Sequence, residues 1–329
     1  MTITRRTFSA FAIGALAAPA IIRPARAAPQ PVTVASLLGE DKPETLIWRR
    51  IGEIVEERLP GRFAFRVAAN AVLGGEREVA EGVRLGSVQA SLSTVSALSS
   101  WVPEAQLLDL PFLFDGAEHL ARVTQGETGT ELRERLAAQD FVAPAFINYG
   151  ARHLLTKTPV TRPEELRGLR IRVIQSPLHT QLWSGYGAQP TAIPIPETYN
   201  ALSTGVVDAM DLTKSAYAGF RLYEVVPCLT ETAHIWASGV VYYSAAFWSG
   251  LTAEEQDVLE EASAEGARFF DEAIVADEAR SMEQAAGGGA QVFEPEERDA
   301  WVAGARPVWE ALADTVGGME SIEAVRAQA

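Results

Sequence analysis

Three arginines crowd into seven residues, "RGLRIRV" at 167–173. A guanidinium presents two parallel N–H donors matched to a carboxylate and stays charged when removed from water, so an arginine in the right place is an anion clamp. Strand alternation puts Leu169, Ile171 and Val173 on one face and Arg170 and Arg172 on the other. Alternation does not separate those two. Ligands of open α/β sheets bind beyond the carboxyl ends of the strands, which favours Arg172 over Arg170. Arg167 precedes Gly168 in a turn and is expected in solvent. A further arginine, Arg152 in "INYGARHLLTK", follows the strand "VAPAFINY" and a turn glycine, where a first lobe hands over to a second, and would line the cleft between them. Exposure with a surface partner is the commoner fate of an arginine, and the residues alone leave it open for each of these.

Other chemistry is sparse. Asp208 and Asp211 lie at a helix end and in the strand "AMDLT", where either could act as a base in paired-acid catalysis. His119, His153, His179 and His234 are scattered, with no HExxH and no Cys/His cluster for a transition metal, and each is expected to be structural or solvated. The single cysteine, Cys228, forms no internal disulfide and is expected as a small buried apolar residue. No GxxxxGK[ST] or GxSxG occurs, and "GYGAQP" at 185–190 starts like a dinucleotide glycine fingerprint but ends at Pro190, with a strand following where a helix should. With no coherent catalytic set, a binding protein without a cofactor is favoured over an enzyme.

The elements that must position these side chains alternate. Strands are expected in "PVTVASLL", "GRFAFRVAAN" and "VQASLSTV", and helices in "KPETLIWRRIGEIVEERL" and "EREVAEGVRLG"; the first helix carries Leu46, Ile47, Ile51, Ile54, Val55 and Leu59 on one face. The pattern repeats after residue 150 with strands "RIRVI" and "TAIPI" and helices "PLHTQLWSGYG" and "PETYNALSTG", the latter opened by Pro196 and stopped by Gly205. Such alternation argues an α/β fold with a largely parallel sheet, and 329 residues suit two lobes. From Thr252 to about Ala286 runs a proline-free helix with a Thr cap and a Glu three positions on, about 50 Å long and so expected to cross between lobes. One more strand, "AQVFEP", follows a glycine break.

Residues 1–27 are expected to be a twin-arginine export signal: Arg5-Arg6, an apolar Ala-rich run to Ile22, then Ala25-Arg26-Ala27 as a small-x-small cleavage site. The run is interrupted by Gly14 and Pro19 and falls short of the roughly 20 residues a membrane span needs. Removing it takes away four arginines and no acids, leaving 24 bases against 43 acids, a net charge of −19. Nucleic acid and anionic lipid surfaces are therefore poor partners, and a periplasmic monomer is expected.

Five phrases in register, "LGGEREVAEGVRLGSVQAS", "PEAQLLDLPFLF", "YGARHLLT", "LRGLRIRV" and "GAQPTAIPIPETYNALSTGVVDAMD", cover nearly all of the chain beyond the signal. In their order and spacing the chain resembles the extracytoplasmic solute-binding proteins of tripartite ATP-independent periplasmic (TRAP) transporters, the DctP-like family. The resemblance implies a two-lobed periplasmic solute-binding protein fold with a ligand cleft between the lobes and a long helix spanning both. Lobe I would comprise 28–150 plus about 238–277, and lobe II 151–237 plus about 278–329. It implies a receptor that delivers a small carboxylate to membrane permease subunits, with a ligand-presenting sensory subunit or a periplasmic enzyme on an organic acid as the competing functions. The arginine of G-L-[KR]-[ILV]-R-V, which grips the ligand carboxylate in the family, is Arg172 here; that of G-x-R is Arg152. Leu37 and Thr94 occupy cleft-lining loop positions and Trp236 would wall the cleft.

The chain departs from the family where relatives read D-G-Q-E-N-P: here 208–213 is Asp-Ala-Met-Asp-Leu-Thr, so Leu212 replaces an asparagine, and Ile195 replaces a frequent aromatic. Both changes argue against a ligand with many hydroxyls. Asp211 would accept from a ligand hydroxyl or ammonium, or hold a cation against the carboxylate. Because neighbours on a strand face opposite ways, Asp211 and Leu212 are alternatives for direct contact.

Overall fold

The computed structural model describes residues 28–329, so the expected twin-arginine signal at 1–27 lies outside the described residues. Nine strands form one mixed sheet: β1 (Gln30–Ala35), β2 (Phe63–Ala68), β3 (Ala90–Thr94), β4 (Phe141–Thr156), β5 (Arg170–Val173), β6 (Gln189–Ala192), β7 (Ala209–Thr213), β8 (Cys228–Ser244) and β9 (Gln291–Phe293). The order is β2-β1-β3-β8-β4-β7-β5-β6, with β9 added on β8. One lobe is built on the parallel strands β1, β2 and β3, the other on the parallel strands β5, β6 and β7.

The sheet is not largely parallel, because β4 and β8, of 16 and 17 residues, pair antiparallel along most of their length and run through both lobes. Their partners β3 and β7 are antiparallel to them as well. Gly150, expected in a turn, sits inside β4 at a register break between Asn148 and Ala151, with φ +94°, a conformation that favours glycine. "TAIPI" also shifts: the strand is Gln189–Ala192, and Ile195 opens the helix Ile195–Ser203.

The long helix is Ala253–Gly287, 35 residues; Thr252 caps it by accepting from Glu255 N, and Glu255 accepts from Thr252 N in return. It packs on the helix Pro43–Arg58 in the first lobe, on β4, and on the helix Lys214–Gly219 in the second. No described helix is long and apolar enough to cross a membrane. On Pro43–Arg58 the buried face includes Ile47, Trp48, Ile51, Ile54 and Val55, and it sits with Phe270 and Tyr243 in one core. A second core under β5–β7 includes Leu202, Met210, Tyr217 and Leu222. A larger one, with Leu108, Leu154, Ile171, Trp183 and Trp301, fills the opposite face.

The lobes touch beside the cleft. A methyl group at Gly75 would lie 3.5 Å from Pro194 and from Pro196, and one at Gly219 would lie 2.9 Å from Leu38. Lys42, just before the first helix, reaches Asp277 of the long helix at 3.2 Å, and the Ser215 hydroxyl donates to the same Asp277 oxygen at 2.5 Å.

Candidate functional site

Arg172 lies near the carboxyl end of β5, flanked by Thr191 of β6 and Met210 of β7. It is only 2% exposed. Its Nε donates to the Ile193 carbonyl at 2.8 Å, and among the described residues the guanidinium has no carboxylate partner within ion-pair distance. Burial, and then the neighbouring Arg152, push its pKa down to about 10. It is a buried cation short of an anion.

Arg152 is equally buried but satisfied. On β4, opposite Thr213 of β7, it donates through Nε to Asp211 Oδ2 at 2.6 Å and through Nη2 to the Asp211 carbonyl at 2.9 Å. Burial works against the charge on both, yet each partner outweighs it: Arg152 is shifted up and Asp211 is held well below the usual carboxylate range. His234 Nε2 lies 3.2 Å from the same Asp211 oxygen, with its Nδ1 2.8 Å from the Thr232 hydroxyl, so the neutral ring with hydrogen on Nε2 satisfies both contacts. Burial lowers the pKa of His234, consistent with that neutral form. His179 packs on the other side, Nδ1 3.8 Å from Asp211 and Nε2 3.0 Å from the Ser96 hydroxyl, which in turn bonds Asp109.

These arginines border an enclosed space of about 480 Å³, mouth included. Of the residues singled out from the sequence, Leu37, Thr94, Arg152, Arg172, Ile195 and Leu212 line it. Asp211 does not. It faces away from Leu212 along β7 and its Oδ2 is held by Arg152 and His234, so Leu212 and not Asp211 borders the cavity. Trp236 does not line the space either; it packs half-buried against the large core, and its neighbour Ala237 faces the cavity instead. Asp208, the other candidate base, is gripped by Arg170 at 2.7 and 2.9 Å and approached by Lys157 at 3.4 Å, on the surface. Cys228 is buried, and burial raises its thiol pKa.

Three polar residues of the cavity carry no mark in the sequence. Glu44, in the first turn of Pro43–Arg58, accepts from Leu37 N at 2.6 Å and from the Ser36 hydroxyl at 3.3 Å; burial nevertheless raises its pKa to about 7. Glu76 opens the helix Glu76–Arg84 and accepts from Thr94 N at 2.6 Å and the Thr94 hydroxyl at 2.9 Å; burial raises it, with Thr94 and the two arginines opposing. Tyr149, on β4, places a buried hydroxyl in the same wall without a well-formed hydrogen bond. Phe220, from the turn after Lys214–Gly219, supplies an aromatic where Ile195 lacks one. Among the described residues no cluster of three or more His, Cys, Asp or Glu side chains is arranged to hold a metal ion.

The model of the bacterial extracellular solute-binding proteins, family 7 (DctP), matches residues 34–315. A solute-binding protein of Verminephrobacter eiseniae is 31% identical over 255 residues, 77% of this chain and 76% of its own. The crystal structure of a TRAP periplasmic solute-binding protein from Shewanella oneidensis with bound succinate superposes with a TM-score of 0.87 at 27% identity, covering 92% of this chain and 99% of that one. Another from Sulfitobacter sp. NAS-14.1, with bound β-D-galacturonate, has a TM-score of 0.87 at 25% identity, covering 91% of this chain and 100% of that one. With a matching model over most of its length, two lobes around one cavity and a buried arginine facing it, the chain belongs to the DctP family of bacterial extracellular solute-binding proteins.

Proposed function

We propose that this protein is the periplasmic receptor of a TRAP transporter, which captures a small organic acid in the interlobe cavity and hands it unchanged to membrane permease subunits. The observation that carries this is Arg172: a buried guanidinium with no carboxylate partner among the described residues, lining the interlobe cavity. An isolated buried charge is costly, and a ligand carboxylate that neutralises it with two charge-assisted hydrogen bonds recovers that cost as affinity. Arg152, already fixed by Asp211 through two of its five N–H groups, offers its remaining donors to the same anion. A cation bridging Asp211 to the ligand has no part in this function, since Arg152 already neutralises that carboxylate.

The competing enzyme function with Asp208 or Asp211 as base is disfavoured, since Asp208 is engaged by Arg170 and Lys157, and Asp211 by Arg152. Residues 1–27 act as a twin-arginine export signal, and the mature chain works as a monomer. Incubating the purified protein with small carboxylates tests the proposal: one equivalent binds by calorimetry and is recovered chemically intact. Turnover of the bound acid would establish an enzyme instead.

A further inference from the structure

The cavity has two unlike walls. On one side stand Arg152, cancelled by Asp211, and Arg172, the one uncompensated cation among the lining residues. On the other stand Glu44 and Glu76. Each ties itself to backbone and hydroxyl donors through Oε1, and Glu76 leaves Oε2 without a hydrogen-bond partner among the described residues, while Glu44 also interacts with the Tyr149 hydroxyl. Between them the Tyr149 hydroxyl, nine-tenths buried, also lacks a well-formed bond. Leu37, Ile174, Ile195, Leu212 and Phe220 supply most of the remaining surface and are apolar, with Thr94 and Thr213 adding two hydroxyls.

Charge decides what fits. Once a ligand carboxylate has neutralised Arg172, no other unpaired base lines the cavity, and a second carboxylate would be desolvated opposite two carboxyl groups with no cation to meet it. The open Glu76 oxygen, with the Glu44 carboxyl and the Tyr149 hydroxyl beside it, asks for the opposite: a group that gives hydrogen bonds. The apolar flanks leave such a ligand few further polar groups.

Resting on the receptor function proposed above, we infer that the ligand is a small monocarboxylate with a hydrogen-bond donor, a hydroxyl or an ammonium, at its far end. Arg172 takes the carboxylate, while Glu76, Glu44 and Tyr149 receive the donor and exclude dicarboxylates.

Calorimetric titration of the purified protein with two matched series tests this: butyrate, 4-hydroxybutyrate, 4-aminobutyrate and succinate, then hexanoate, 6-hydroxyhexanoate, 6-aminohexanoate and adipate. In the series that fits, a hydroxyl- or ammonium-ended acid binds at least tenfold tighter than both the plain acid and the diacid. The hydroxyl and ammonium arms show which donor is meant. A diacid as the tightest ligand, or a plain acid equal to its donor-ended partners, overturns the inference while leaving a carboxylate receptor intact. Binding of none of the eight acids overturns the receptor function in this size range as well. Glu76→Gln, checked for cooperative melting, loses preference for the ammonium and gains affinity for the diacid; an unchanged rank order in that variant removes Glu76 from the donor site.

Discussion

Arg170 and Arg172 stand two residues apart on the same strand and meet opposite fates. Arg170, at the start of β5, keeps 48% of its side chain exposed and pairs with Asp208, whereas Arg172, nearer the carboxyl end, is sealed into the cavity. Truncating Arg172 to alanine is expected to cost about 2–5 kcal/mol of ligand binding, as for other buried charge pairs that lose one partner. For a micromolar receptor, whose whole binding free energy is about −8 kcal/mol, that is close to abolition. Arg170→Ala removes a solvent-exposed pair of a kind worth about 1 kcal/mol or less and leaves affinity near that of the parent. Titrating both variants with one ligand checks the contrast, and equal affinities would remove Arg172 from the site. Strand phase and end-of-strand geometry only favoured this arginine, and the resemblance to the solute-binding family singled it out. Glu44 and Glu76 were not legible, because an acid in the first turn of a helix is ordinary on the surface and only the arrangement of the lobes turns these two inward. Asp211 illustrates the converse: its type invited a ligand role, but its strand face sends it behind Arg152.

At the scale of elements, the helices and the short parallel strands follow from periodicity and capping, and the long helix with its Thr252 cap is the clearest case. The two long strands do not. β8, "CLTETAHIWASGVVYYS", is buried over most of its length, so its alternation is blurred, and β4 is interrupted by Gly150 and by breaks in register. Gly150 is needed there on two counts, a positive φ and the Glu278 side chain lying where a β-carbon would go. The cross-lobe cluster Lys42–Asp277–Ser215 is equally invisible, since its members lie 62 and 235 residues from Asp277 in sequence. Lys42 and Asp277 are both nearly inaccessible, so Lys42→Met leaves a buried carboxylate short of its main partner. The expected loss is about 3 kcal/mol of stability, towards the lower end for a broken buried pair because Ser215, Ser281 and Arg280 still contact Asp277. Urea midpoints check it. The double variant Lys42→Met/Asp277→Leu should regain most of the loss, and a single variant as stable as the parent would show that the cluster contributes little.

For the whole molecule, buried acids and buried histidines pull the pH dependence of stability in opposite directions. Burial raises Glu44 and Glu278 to about 7 and Asp271 to about 6. Around Glu44 stand the like-charged Glu76, which reinforces the shift, and the Leu37 N–H and Ser36 hydroxyl, which oppose it. Between the unfolded value near 4.3 and these raised values, the folded chain holds protons that the unfolded chain has released. The unfolded state therefore binds fewer protons, and stability falls as pH rises through 7. Asp211 works the other way, but its contribution is complete once pH exceeds the ordinary carboxylate range. Buried His153, lowered to about 3, and buried His234, also lowered, oppose the acids as well, adding stability as pH rises towards the unfolded histidine value near 6.5. A formal net charge of −15 adds self-repulsion that grows in the same alkaline direction. Glu44 is thus expected to weaken the ligand-free fold by roughly 3 kcal/mol at most between pH 5 and pH 8, against the gain from the two histidines. Urea midpoints of the parent and of Glu44→Gln at pH 5, 6.5 and 8 isolate that contribution: the stability of the parent relative to the variant falls as pH rises. A variant with the parent's slope would contradict a Glu44 carboxyl raised by its burial in the cavity wall.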